Sequence, residues 1–120
     1  MKISNTTILS DFKQQFSSRY NGLKIEFYQN AHEPYQGTHV QNTLDDNTVM
    51  ADLLKVDLPY ELDVNDDMSV NDFEQMMETA LGLHVQVFRR SNAIWLQTTK
   101  TDDWSLGKQN TKGLHSIQTN

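Results

Sequence analysis

The stretch SVNDFEQMMETALGLHVQVFRRSNAIWLQTTKTDDWSLGKQN, residues 69–110, decides the fold, because it holds the clearest helix and the clearest hairpin of the chain. Ser69 is a typical helix N-cap, and Gly82 stands where a left-handed residue commonly ends a helix. Between them, apolar residues recur at the three- and four-residue steps of one helix face. We therefore predict a helix over 70–81 whose buried face consists of Val70, Phe73, Met76, Met77, Ala80 and Leu81.

Two strands are predicted after this helix. Leu83, Val85 and Val87 alternate with other side chains, which is the two-residue period of a strand with one face on a core. Residues 90–92 predict a short turn into a second alternating run over 93–97, so we expect an antiparallel hairpin. A short helix ending near residue 113 is then expected to follow.

The first part of the chain predicts a similar order. A strand within 1–7, a helix over 8–20 and a strand over 23–28 precede a polar loop, which extends to residue 42 with a weak return strand. A short helix capped by Thr48 and a strand over 60–64 come next. When the two helix–strand units are aligned, Asp11, Phe12, Gln14 and Leu23 recur as Asp72, Phe73, Gln75 and Leu83.

These patterns predict an α+β fold: a single compact domain over residues 1–113, followed by a flexible tail over 114–120. Two similar halves, 1–56 and 57–113, would each run strand, helix, strand, strand, short helix and be related by a pseudo-two-fold axis. Half-units of this size bury too little surface alone and bury their sheet faces better together.

Composition narrows the classes of function. The 120 residues contain no cysteine, which excludes disulfides and thiolate chemistry, and apolar residues make up 37% of them. No run of residues has the length and apolarity of a signal peptide or a membrane span, so we expect a cytoplasmic protein that does not contact a membrane.

Charge is the most uneven property of the sequence. The net charge is −6, yet residues 45–78 alone hold eleven carboxylates against Lys55, a local balance of −10. From this acidic segment we predict that the protein is a non-catalytic interaction or assembly module, whose acidic face docks a protein partner or a second copy of the chain. The acidic balance argues against nucleic acid as the partner. The predicted partner-binding residues are Asp66, Asp67, Arg89, Arg90, Trp95 and Trp104.

A small-ligand binder or enzyme is a second hypothesis, with a cleft between the halves lined by Trp95, His84 and Arg89. The sequence has no nucleophile-elbow motif and no glycine-rich phosphate loop, and we expect no cofactor and no catalytic residue. The pair Asp102–Asp103 has a counterpart in Asp45–Asp46, which favours a role in turns and caps over acid–base catalysis.

A calcium-responsive module is the third hypothesis. Asp63, Asn65, Asp67 and Glu74 fall at positions 1, 3, 5 and 12 of an EF-hand loop. Met68 stands where that loop needs glycine, and Pro59 prevents an incoming helix. The alternative interpretation is an exposed acidic turn whose helix begins with Asp72 and Glu74 toward its positive end.

The second half also resembles a family of small uncharacterised bacterial proteins. The resemblance rests on four runs of residues that follow that family's GLxVQVFR, WLxT, TDDW(T/S)L and QN pattern. They are Gly82 to Ser91, Trp95 to Thr99, Thr101 to Leu106, and Gln109–Asn110. The chain departs from the family's Ser-Gly turn, since Asn92 follows Ser91. The resemblance implies a discrete domain and assigns no activity to any residue.

Overall fold

The structure is a computed structural model that describes the backbone of residues 1–29 and 43–118 and the side chains of these ranges up to residue 116. Within these ranges it forms three α-helices and two antiparallel sheets, which confirms the predicted α+β class. In chain order, the elements are β1 (Lys2–Ile3), α1 (Leu9–Arg19), β2 (Leu23–Tyr28), β3 (Tyr60–Glu61), α2 (Val70–Met76), β4 (His84–Ser91), β5 (Ile94–Gln97) and α3 (Leu106–Gln118).

The larger sheet has the strand order β2–β4–β5. β2 and β4 pair with Ile25 opposite Val87 and Phe27 opposite Val85, so the alternating apolar residues of both strands share one face. β4 and β5 form the predicted hairpin, with Asn92 in its turn at a φ of 53°. β1 and β3 form a separate two-stranded sheet, shorter than the strands predicted from the sequence.

Helices α1 and α2 cover the inner face of the larger sheet. Phe12, Phe16, Phe73 and Met77 are fully buried, and the rings of Phe16 and Phe73 have their centroids 5.1 Å apart. The helical segment that starts with α2 continues as one π-helical stretch, Met77–Leu81, so it covers the predicted range. Most of the core therefore lies between these two helices and the sheet, and Leu106 of α3 also belongs to it.

The ends of α2 follow the prediction, whereas the predicted cap at Thr48 is wrong. The Ser69 hydroxyl accepts a hydrogen bond from the Asp72 N–H at 3.0 Å, and Gly82 ends the helical segment at a φ of 70°. The short 3₁₀ helix Met50–Asp52 has no side-chain cap. The Thr48 carbonyl instead accepts a hydrogen bond from the N–H of Leu9 at 2.9 Å.

Each of the first two helices is tied to a later segment by three backbone hydrogen bonds of the same pattern. At α1 they join Leu9 to Thr48, Ser10 to Asp46 and Met50 to Thr7; at α2 they join Val70 to Trp104, Asn71 to Asp102 and Leu106 to Met68. In this pattern Asp46 is the equivalent of Asp102. The sequence comparison instead makes Asp45 the equivalent of Asp102, so the two alignments differ by one position. The pseudo-two-fold relation itself stays a prediction.

Helix α3 is longer than the sequence indicated, since it continues to Gln118 where a flexible tail was predicted from residue 114. Ser116 holds its last turn, because its hydroxyl donates to the Arg90 carbonyl at 3.0 Å and accepts from the Asn92 N–H at 3.1 Å. The helix also packs backbone to backbone on the start of β2, where a Cβ on Gly113 would lie 2.4 Å from the Gly22 carbonyl oxygen. The packing against β2 and the hairpin explains the extra turns.

Tyr20 ties the end of α1 to the turn at residues 65–68. Its hydroxyl donates to Asp66 Oδ1 at 2.7 Å, and its ring is almost fully buried. We expect Tyr20→Phe to lower the free energy of unfolding by about 1 kcal/mol, the net value of an ordinary hydrogen bond, because the Asp66 carboxylate that accepts it is exposed to solvent. Urea denaturation measures this loss. Tyr60→Phe is the matched control, because no hydrogen bond of its hydroxyl occurs in the described ranges; equal losses would contradict the assignment.

Candidate functional site

The acidic segment, defined as residues 45–78, presents nearly all its charge to solvent. Ten of its eleven carboxylate side chains are exposed, and Glu74 is the exception. Five of the exposed ones form no ion pair or side-chain hydrogen bond with any residue that the structure describes: Asp52, Asp57, Asp63, Asp67 and Asp72.

Other carboxylates of the segment are used within the fold. Asp46 pairs with Lys13 at 2.7 Å, and Glu61 pairs with the amino terminus at 3.3 Å. Asp66 accepts from Tyr20 and lies 3.7 Å from Arg19. Of the two acidic residues predicted to bind a partner, Asp67 is therefore free of such contacts within the described chain, while Asp66 has a structural role.

Glu74 is buried, with 7% of its surface exposed, and it lies just beyond the first turn of α2 in which it was predicted, whereas Asp72 does lie in that turn. Its Oε2 accepts a hydrogen bond from the Val87 N–H at 2.9 Å, on the edge of β4 beyond the end of β5. Burial raises the pKa of Glu74 to about 8, and the buried carboxylate of Asp102 adds to the rise. The Glu74 carboxylate therefore accepts the backbone hydrogen bond that a neighbouring strand would otherwise accept from Val87.

The predicted cleft residues do not come together. His84 and Trp95 lie on the outer face of the larger sheet, whereas Arg89 pairs with Leu96 on the inner face, because successive strand residues alternate. An open groove of about 610 Å³ does run along the outer face. In it, the Lys24 ammonium lies 5.3 Å from the ring centres of both Phe88 and Trp95.

Three buried polar atoms on this outer face have no hydrogen-bond partner among the described residues: the Tyr28 hydroxyl, Gln86 Oε1 and His84 Nδ1. The nearest carboxylate oxygen to His84 Nδ1, from Glu78, is 3.8 Å away, too far for a hydrogen bond. Burial raises the pKa of Tyr28 to about 12, with Glu26 and Glu74 contributing, so its phenol stays protonated at neutral pH. Tyr28 borders the groove, but its hydroxyl oxygen is buried.

A second aromatic site lies where β4 meets α3, and we call it the Trp104 face: Trp104 and Arg89 with Lys108 and Lys112. The Arg89 guanidinium lies 5.6 Å from the centre of the Trp104 ring, and the Lys108 ammonium lies 4.1 Å from it. An open depression of about 500 Å³ runs along this side of the helix. None of the three cations forms an ion pair with a residue in the described ranges.

Arg89 and Arg90 serve different faces, although they are adjacent in sequence. Arg89 donates to Gln109 Oε1 at 2.9 Å and belongs to the Trp104 face. Arg90 donates to the Asn92 carbonyl at 2.6 Å, and its guanidinium lies 5.4 Å from the centre of the Trp95 ring. The predicted partner-binding residues of the hairpin are thus divided between two surfaces.

The calcium hypothesis gains no support from the geometry. Asn65 Oδ1 accepts hydrogen bonds from the N–H groups of Asp67 and Met68, both at 3.0 Å, and these bonds stabilise a turn. Glu74, at the twelfth position, is turned into the protein. Within residues 1–29 and 43–118, no group of three or more His, Asp or Glu side chains is arranged to hold a metal ion.

Sequence reasoning missed Glu74 and the extent of α3. Glu74 follows Val70 by four residues and precedes Met77 by three, so the helical period places it on the apolar face. That spacing was the available signal.

No helix in the part of the chain described here has the length and apolarity needed to cross a membrane. Comparison with protein-family models, curated proteins and solved structures gave no match to this chain.

Proposed function

We propose that this protein is a non-catalytic interaction module whose acidic segment docks a protein partner. The observation that carries the proposal is the set of exposed carboxylates, Asp52, Asp57, Asp63, Asp67 and Asp72, that the fold leaves without cations. Unpaired surface charges of one sign raise the association rate with an oppositely charged partner and contribute little to stability.

The distribution of cations supports the same proposal. Lys13 and Lys24 form ion pairs with acids, whereas Arg89, Arg90, Lys100, Lys108 and Lys112 form none in the described ranges. A fold that used charge mainly for stability would pair these groups with the free acids. That these cations and acids stay unpaired favours contacts with another molecule, since complementary fields steer encounters and select partners.

The test is a pull-down from host lysate with wild-type protein and the variant Asp57→Asn, Asp63→Asn, Asp67→Asn. We expect the wild type to retain a protein that is released as salt rises and that the variant does not retain, because screening shortens the reach of exposed charges. The retained protein is then purified and its binding reconstituted with the wild type.

A matched control separates the acidic segment from net charge. The substitutions Asn5→Lys, Gln14→Lys and Asn21→Lys alter net charge by the same amount at exposed positions outside the segment. We expect the control to keep the partner. Equal retention by wild type and by the triple Asp→Asn variant at every salt concentration would reject the proposed function.

A further inference from the structure

The acidic turn at residues 63–67 lies directly against the first turn of α3. The Gly107 N–H donates to the Asp66 carbonyl at 3.0 Å, and a Cβ on Gly107 would lie 3.3 Å from the same oxygen. Lys108 and Lys112, both exposed, follow on this helix. Because Lys108 follows Gly107 directly, the acidic turn lies beside the helix turn that carries this cation.

These neighbouring charges are not paired with each other. Asp63 and Asp67 have no ion-pair partner in the described chain, and neither has Lys108 or Lys112. The Lys108 ammonium lies over the Trp104 ring instead. Both signs of charge consequently remain available to a second molecule.

We propose that this surface binds a second copy of the chain, the acidic turn of each copy contacting the Trp104 face of the other. A surface that carries both signs side by side is self-complementary about a two-fold axis, because each acid–cation contact then forms twice. Trp104 adds half-buried aromatic area to the contact, a residue type enriched at interfaces.

The inference rests on the proposed interaction function and names its partner. Two copies of net charge −6 repel each other at long range, so the dimer depends on the local pairs. Rising salt therefore weakens it by screening those exposed pairs.

Sedimentation velocity of the full chain tests the dimer. We expect a concentration-dependent dimer of the wild type at low salt that dissociates at about 0.5 M salt, where screening acts within a few ångströms. Asp63→Lys with Asp67→Lys, and separately Lys108→Glu with Lys112→Glu, should each weaken self-association at least tenfold. The milder pair Lys108→Gln and Lys112→Gln should weaken it in the same direction.

Combining the reversals gives the decisive control. The fourfold variant has the wild-type net charge with its acids and cations exchanged, and we expect it to dimerise again; an equimolar mixture of the two double variants should also form a heterodimer. Circular dichroism confirms that each variant is folded. A wild type that stays monomeric at low salt, a dimer that the double variants keep, or a folded fourfold variant that stays monomeric would each overturn the inference. If the wild type is monomeric yet the acidic segment retains a host protein, only this inference fails and the proposed function stands.

Discussion

Gly113→Ala is expected to destabilise the protein by about 2 kcal/mol, although the same change in an exposed helix adds roughly 1 kcal/mol of stability. The reason is the close approach of α3 to β2. A Cβ on Gly113 would lie 2.4 Å from the Gly22 carbonyl oxygen and 3.1 Å from the Gly22 Cα. These are backbone atoms, so relief requires the helix to move away from the sheet.

Gly107→Ala is the matched control, because it makes the same substitution in the same helix. There the nearest atom to the new Cβ would be the Asp66 carbonyl oxygen at 3.3 Å, a contact that a small shift relieves. Guanidinium unfolding of both variants measures the difference. If Gly113→Ala and Gly107→Ala had the same free energy of unfolding, that result would contradict the close backbone contact between α3 and β2.

Glu74→Gln is expected to change how stability depends on pH. The pKa of Glu74 rises from an ordinary value of 4.5 to about 8 in the folded protein, so between these values the folded state binds the proton that the unfolded state has released. Wild-type stability therefore falls as pH rises from about 5 to about 8. Glutamine keeps an oxygen for the Val87 N–H and carries no charge, so this fall is absent in the variant.

The measurement is the free energy of unfolding at several pH values for both proteins. Relative to wild type, Glu74→Gln should gain about 2 to 4 kcal/mol between pH 5 and pH 8, since each unit of pKa shift corresponds to about 1.4 kcal/mol. Asp72→Asn, which removes an exposed acid of the same helix, should not produce this gain. A difference between Glu74→Gln and wild type that is constant with pH would show that Glu74 titrates normally.

Much of the architecture follows from periodicity. The alternation of Leu83, Val85 and Val87 and the helical spacing through Val70 and Phe73 identified β4 and α2, because these residues bury one face each. The caps at Ser69 and Gly82 were also readable, since both depend on local backbone geometry.

What the sequence did not reveal depends on contacts distant along the chain. α3 runs past residue 113 because Gly113 meets Gly22 and Ser116 meets the hairpin, and neither contact has a local signature. Glu74 is buried because its carboxylate accepts a hydrogen bond from the N–H of Val87 on β4, thirteen residues further along the chain.

The candidate site was predicted only in part. The exposure of the acidic segment could be anticipated from its charge, as could the closeness of basic and aromatic side chains along the hairpin sequence. Which of them share a surface could not, because that depends on strand phase and helix packing. Arg89 and Arg90 illustrate the point, since one lies beside Trp104 and the other beside Trp95.

The most direct test of the interaction function is the salt dependence of the dissociation constant for the purified protein and the partner that it retains. We predict that the wild type binds more weakly as salt rises, and that Asp57→Asn, Asp63→Asn, Asp67→Asn binds weakly at low salt with a shallower salt response. The same affinity and the same salt response in both proteins would contradict a docking role for the acidic segment.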